Sequence, residues 1–291
     1  MSDSAQSGGL AMTRSVTGNG MRREPRKTRD YQLSQHASTT TPPSAALPLV
    51  HITTVGLAEK ILAGGYIEPR ACTVFKKGLV YFFVMRPAFR KVEGDEKSHR
   101  LAHFPVAFIT TPQAVPNPYH VYPTDTGGAA SGRFGASEAS DPALEDYELP
   151  PTRAAAAAHI GWAFETLDDY MRGLLRSGLV DQIPYHDHIT HAYYEIARST
   201  RSGDNQPDGR ASTVEIASAD RIALKHDIEL AILPKQLRED KNVRNQALID
   251  ALTSEQVVWR DYDWQPNSAP NTFLDEIDRV AREWYGQQGI L

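Results

Sequence analysis

The chain has 291 residues, of which 41% are hydrophobic and 23% charged, enough to bury one large core or two small ones. Its formal net charge of −5 and pI near 6.1 exclude a global basic field for nucleic acid or anionic lipid, so any such contact must be local. One cysteine, Cys72, excludes an internal disulfide; it fits a cytoplasmic location, as does the lack of an apolar stretch of the roughly 18 to 20 residues a membrane span needs.

Residues 1 to about 47 are rich in Ser, Thr, Gly, Gln and Pro and carry the basic knot "MRREPRKTRD". Almost no large aliphatic side chain precedes Leu47, so a disordered tail is expected, with Met21 as an alternative start. Its arginines and Lys27 are a candidate contact for DNA or RNA, against the plainer reading of a solvated tail. "LPLVHITT" predicts a short buried strand, and Thr53 or Thr54 then caps a helix over "VGLAEKILAGG", closed by Gly64 and Gly65. "TVFKKGLVYFFV" reads as a hairpin or a turn into a strand, "HFPVAFITT" as another strand, and the stretch from 112 to 150 as a long loop. From Pro150 the pattern becomes helical, through "TRAAAAAHIGWAFETLDDYMRGLL" and again through "HITHAYYEIARSTR". After the loop "SGDNQPDGR" come the strand-like runs "STVEIA" and "IELAILP", then helical segments near "LREDKNVRNQALIDAL" and "NTFLDEIDRVAREWYG". Strands on both sides of a helical insertion predict an α+β domain whose sheet is assembled from distant pieces.

Three separated stretches carry the chemistry. His51 ends an apolar strand, Tyr81 stands in the strand "GLVYFF", and Glu215 interrupts the β-branched run "STVEI". Each has a plain alternative: a core histidine satisfied by a carbonyl, an ordinary strand aromatic, an edge-strand charge. Together, in this order, they resemble the ADP-ribosyltransferase superfamily in its diphtheria-toxin-like His-Tyr-Glu branch, to which poly-ADP-ribose polymerases and RNA 2′-phosphotransferases belong. The resemblance covers roughly residues 48 to 90 and 208 to 236.

That resemblance implies a split mixed or antiparallel sheet in a single domain over 48–291, with a helical insertion at about 150–205, and an enzyme that consumes NAD as its substrate. It puts His51 on the adenine-side ribose, with Thr53 beside it, and stacks Tyr81 on the nicotinamide ring. Tyr81, Phe82 and Phe83 together form an apolar cofactor wall, while Arg70, Arg86 or Arg90 holds the diphosphate. Glu215 grips the 2′-OH of the nicotinamide ribose. It also implies a short basic or polar helix at Arg86–Arg90, with Pro87 in its first turn, and no metal. A carboxylate beside the ribose stabilises positive charge that appears only in the transition state. The acceptor is an unidentified protein or nucleic acid, and a toxin or antiphage role is an association of such small enzymes. An NAD glycohydrolase would use the same pocket, and a non-catalytic nucleic-acid- or protein-binding module is the alternative from another class.

The chain departs from that family's pattern in places. "HITT" stands where the polymerases have His-Gly, Thr213 stands where arginine-modifying toxins have a Glu or Gln, and Glu148, Glu195 and Glu229 are substitutes for the acid. Three further motifs compete. His188, His191 and Glu195, with His186 or Asp187, could face one metal ion from a helix, although zinc-hydrolase spacing is absent. Asp125-Thr126-Gly127 resembles an aspartic-protease loop, but a single copy supplies only half a dyad, and a turn bordering the NAD pocket accounts better for its glycines. Cys72 is a candidate nucleophile with His51 as its base, or a small buried hydrophobe.

Overall fold

The computed structural model describes residues 20–37, 43, 47–91, 94–134, 142–198 and 208–291. Its first segment, 20–37, is not a free tail. It ends in helix α1 (Gln32–Ala37), whose Leu33 and Ala37 are buried, and it is tied down by ion pairs: Arg23 to Glu145, Arg26 to Asp146 and Arg29 to Glu148. The expectation of a disordered stretch through residue 47 is corrected for 20–37. Too few apolar side chains are available to order it alone, and a distant row of acids supplies the partners instead. Residues 1–19, 38–42 and 44–46 of the expected tail lie outside the described residues.

The apolar run around His51 forms β1 (Leu49–Thr54) and passes directly into α2 (Val55–Gly64). Gly65 ends α2 at φ 73°, a left-handed conformation that glycine adopts without a Cβ penalty. Then come β2 (Tyr66–Ile67), β3 (Arg70–Cys72) and β4 (Lys77–Val84), the last two forming the expected hairpin. β5 (Pro105–Thr110) follows. Within the expected long loop lie β6 (His120–Tyr122) and α3 (Thr126–Ala130), while its residues 135–141 are outside the described set. The helical insertion holds α4 (Arg153–Ala163), α5 (Leu167–Arg172) and α6 (His188–Ala197). The single long helix expected from Thr152 is broken after Ala163, because Phe164 turns extended and Thr166 starts a new helix with a capping box to Asp169.

Residues 199–207, which include most of the expected "SGDNQPDGR" loop, lie outside the described residues. Beyond them come β7 (Glu215–Ser218), β8 (Ile222–Ala223), α7 (Leu224–Asp227) and β9 (Ile228–Pro234). The helix expected near "LREDKNVRNQALIDAL" is confined to its second half. α8 (Lys235–Arg238) gives way to a hairpin of β10 (Glu239–Asp240) and β11 (Val243–Arg244), and only then comes α9 (Gln246–Ser254). Lys241 and Asn242 both have positive φ, 49° and 66°, as a tight two-residue hairpin turn requires. β12 (Val258–Tyr262) and α10 (Leu274–Gln287) close the chain.

The main sheet runs β12-β9-β5-β1-β4-β7-β6, with β3 added beside β4. Every pairing in it is antiparallel except β12 with β9, so the architecture is α+β around a mixed sheet. Its central seam is short. β1 pairs with β5 from Val50 to Thr54, but with β4 only at Leu49↔Val84 and Val50↔Phe83. Past that point β4 continues along β7, from Phe83↔Glu215 to Val80↔Ser218, and β1 stays with β5. The two halves therefore part after Val50. The far side of the seam is pinned by buried tyrosines: Tyr170 of α5 donates to the Val84 carbonyl at 2.8 Å and Tyr285 of α10 to that of Met85 at 2.9 Å. Among the described residues no helix is long and apolar enough to cross a membrane.

Candidate functional site

Where β1 and β4 part, a cavity of about 700 Å³ opens, and His51, Tyr81 and Glu215 all line it. Thr53, Arg70 and Arg90 line it too. Three side chains far apart in sequence meet here because β1, β4 and β7 are consecutive strands of the sheet. In β4 the alternation of a strand gives Tyr81 and Phe83 to the cavity.

The imidazole of His51 fills part of the gap left by the interrupted ladder, its Nδ1 lying 2.9 Å from the carbonyl oxygen of Tyr81. A carbonyl only accepts, so Nδ1 carries the proton and Nε2 is the acceptor on the neutral ring. Burial holds the ring neutral, with its pKa lowered to about 4. Tyr81 donates its phenolic hydrogen to Cys72 Sγ at 2.8 Å, and burial together with the Glu215 charge pushes its pKa up. Cys72 therefore serves as the partner of Tyr81, and it also lines the cavity.

Glu215 is 1% exposed. Its Oε1 accepts from the Thr126 hydroxyl at 2.7 Å and its Oε2 from the Thr126 backbone N–H at 3.1 Å. His120 Nε2 lies 3.2 Å from the same Oε1. Burial lowers the His120 pKa to about 3, so the contact is a hydrogen bond from a neutral ring and not an ion pair; its other nitrogen, Nδ1, is buried without a partner among the described residues. Burial also lifts the Glu215 carboxyl from 4.5 to about 7. Asp125, the residue before Thr126, is pushed up to about 7, first by burial and next by the Glu215 charge. Arg210 Nη1 stands 3.1 Å from Asp125, while the same guanidinium grips Asp208 through Nε at 2.8 Å and Nη2 at 2.6 Å.

Not every expected residue arrives at this cavity. Of the expected apolar wall, Tyr81 and Phe83 line the cavity, whereas Phe82 points to the opposite face of β4, is 0% exposed and packs in the core, so its share of that wall is corrected. Arg86 is buried elsewhere. Its Nη1 donates to the carbonyl and hydroxyl oxygens of Ser212, both at 3.0 Å, and the residue lines a second cavity of about 440 Å³. The expected short helix at Arg86–Arg90 is absent as well: these residues run as irregular chain after Met85, whose φ of 55° breaks the strand. Arg90 borders both cavities and pairs with Asp95 at 2.6 Å.

The substitutes for the acid are elsewhere. Glu148 pairs with Arg29, Glu195 with Arg198, and Glu229 stands on β9, none of them lining the cavity. In the "HDHITH" segment, Asp187 caps α6 through Thr190 and is held by Gln32 and His36. His188, His191 and Glu195 do not gather, and among the described residues no group of three or more His, Cys, Asp or Glu is placed to hold a metal ion.

Sequence reasoning placed Asp125, Thr126 and Gly127 at the pocket border but gave them no role, and it missed His120 and Arg210 altogether. The usable signal was a capping Asp followed by two glycines, Gly127 and Gly128, which let a very short helix begin against the sheet. No protein-family model, curated protein or solved structure matches the chain.

Chemically, the cavity joins the buried carboxyls of Asp125 and Glu215, a neutral imidazole acceptor, the aromatic side chains of Tyr66, Tyr81, Phe83 and Phe89 and, toward its opening, the basic groups Lys60, Arg70 and Arg133. Such a set suits a ligand with anionic groups at one end and a centre that becomes cationic at the other.

Proposed function

We propose that the chain binds NAD in the cavity at the β1/β4 seam and transfers its ADP-ribosyl group to a macromolecular acceptor, on an ADP-ribosyltransferase-type fold. The observation that carries this is the meeting of His51, Tyr81 and Glu215, from three neighbouring strands, around one cavity of about 700 Å³. That volume lies within the roughly 300 to 1,000 Å³ of ordinary ligand pockets. The sheet that parts after Val50 supports the same fold. His51 Nε2 would accept from a ribose hydroxyl, and Tyr81 would offer its ring to the nicotinamide. Glu215, ionised, would face the ribose as the glycosidic bond breaks; preorganised groups of this kind are worth about 10²- to 10³-fold in rate. Arg70 is the group for the diphosphate.

The test is nicotinamide release from NAD, followed with protein or nucleic-acid mixtures and without them. Wild-type protein is expected to release nicotinamide and label an acceptor, and Glu215→Gln to lose at least about 100-fold. Release of free ADP-ribose with no acceptor present would instead identify a glycohydrolase. No release by the wild type under any of these conditions would refute NAD consumption. For the binding-module alternative, Arg23, Arg26 and Arg29 of the basic segment are engaged by Glu145, Asp146 and Glu148, so a polyanion bound there would compete with these ion pairs.

A further inference from the structure

We propose that Asp125 is a second catalytic residue of this site, sharing one proton with Glu215 and taking up the proton that the acceptor loses during transfer. It rests on the NAD-consuming activity proposed above and deepens it. Thr126 binds both oxygens of Glu215, and the preceding residue, Asp125, caps α3 by accepting from the Gly127 N–H at 2.9 Å. One tight turn thus brings two buried acids side by side into the same cavity. Two neighbouring carboxyls removed from water hold one proton between them more readily than both ionise.

The charges around the pair point the same way. Arg210 is the only cation paired with either acid among the described residues, and it is claimed first by Asp208 in a two-pronged contact. From β6, His120 is neutral and Tyr122 is an un-ionised phenol; from β4 and β3, Tyr81 and Cys72 add no positive charge. Three carboxyls therefore face one guanidinium. Asp208 and Arg210 balance, and Asp125 with Glu215 is left to hold a proton between them until the pH removes it.

Exposure divides the roles. The Asp125 side chain is 12% exposed and that of Glu215 only 2%, though both line the cavity. Asp125 is the member an acceptor can reach. In the transfer step the C1″–N bond of NAD breaks and its electron pair leaves with neutral nicotinamide. A lone pair of the acceptor forms the new bond to C1″, and the acceptor's proton passes to the Asp125 carboxylate. Glu215, ionised, faces the cationic ribose meanwhile. The acceptor class is accordingly one whose nucleophilic atom carries a proton it must give up, water included. Both carboxyls must begin ionised, so the rate rises with pH as the shared proton is lost.

Asp125→Asn keeps the helix cap but cannot take up a proton. For this variant we expect NAD binding by calorimetry within about threefold of wild type, nicotinamide release lowered about 100-fold, and a rise in rate with pH that follows the ionisation of Glu215 alone instead of that of the coupled pair. On the protein without NAD, carboxyl ¹³C NMR should show Asp125 and Glu215 titrating as a coupled pair, collapsing to one single-step titration in Asp125→Asn. A wild-type rate and pH profile in Asp125→Asn would overturn the proposal, as would two carboxyls that titrate independently in the wild type. A coupled titration in a wild type that leaves NAD intact would overturn the catalytic role through failure of the activity itself, and the intact pair would show which of the two had failed.

Discussion

Removing the charge of Glu215 should stabilise the protein, and only at high pH. Its carboxyl is lifted from 4.5 to about 7 by burial, against the opposing hydrogen bonds from Thr126. A folded-state pKa above the unfolded one means that the native protein holds this proton more tightly. The stability it contributes is complete below pH about 4.5 and is lost as the pH rises through about 7. One pKa unit corresponds to about 1.4 kcal/mol, so ionised Glu215 costs the fold on the order of 3 kcal/mol. Glutamine is close in shape and cannot ionise, and its amide can serve Thr126 and His120. Urea denaturation of wild type and Glu215→Gln at pH 5, 7 and 8.5, at constant ionic strength, should therefore give curves that coincide within about 1 kcal/mol at pH 5. At pH 8.5 the variant should be more stable by about 1 to 3 kcal/mol, or several degrees in Tm. A difference that does not change with pH, or a variant that is weaker at pH 8.5, would refute the assignment of Glu215 as a desolvated acid.

Two further substitutions probe the parts that hold the site in place. Arg23→Ala should destabilise the protein by about 3 kcal/mol in urea titration, because it strands Glu145, whose side chain is 0% exposed, with the Glu24 N–H as its remaining hydrogen-bond donor among the described residues; an unchanged midpoint would mean that segment 20–37 is dispensable. Tyr170→Phe should lower stability by about 1 to 3 kcal/mol in thermal melts, since the lost hydroxyl donates to the Val84 carbonyl and accepts from the Val214 N–H at 3.2 Å. A loss below about 0.5 kcal/mol would show that the tyrosine pin is not what fixes β4 beside Val214.

Strands with unbroken apolar runs were legible in the sequence. β5 and β9 are nearly all buried, and their hydrophobicity is continuous along the chain. The helix after His51 was legible as well, through its glycine stop. What sequence reasoning missed is short or mutual. β6 has three residues and α3 five, too few for any period to register, yet they bring His120 and Thr126 to Glu215. The arginines of segment 20–37 read as solvated because their acidic partners stand about 120 positions away. Arg86 and Arg90, four residues apart, looked alike in sequence. One is buried on Ser212 and the other borders the cavity, a difference set by the positive φ of Met85 and the irregular chain that follows it.

The tether from Arg23 to Glu145 also has a timetable. At roughly 5 to 20 residues per second of synthesis, Arg23 leaves the ribosome some 6 to 24 seconds before the acid 122 positions behind it. During that interval Arg22 and Arg26 can already pair with Glu24, while Arg23 and Arg29 wait for Glu145 and Glu148; the turn bearing Phe75, over which the Arg23 guanidinium sits at 4.2 Å, emerges before those acids do. The arginine-rich strap is thus fastened only after β1 and β4, whose parting opens the cavity, have both emerged.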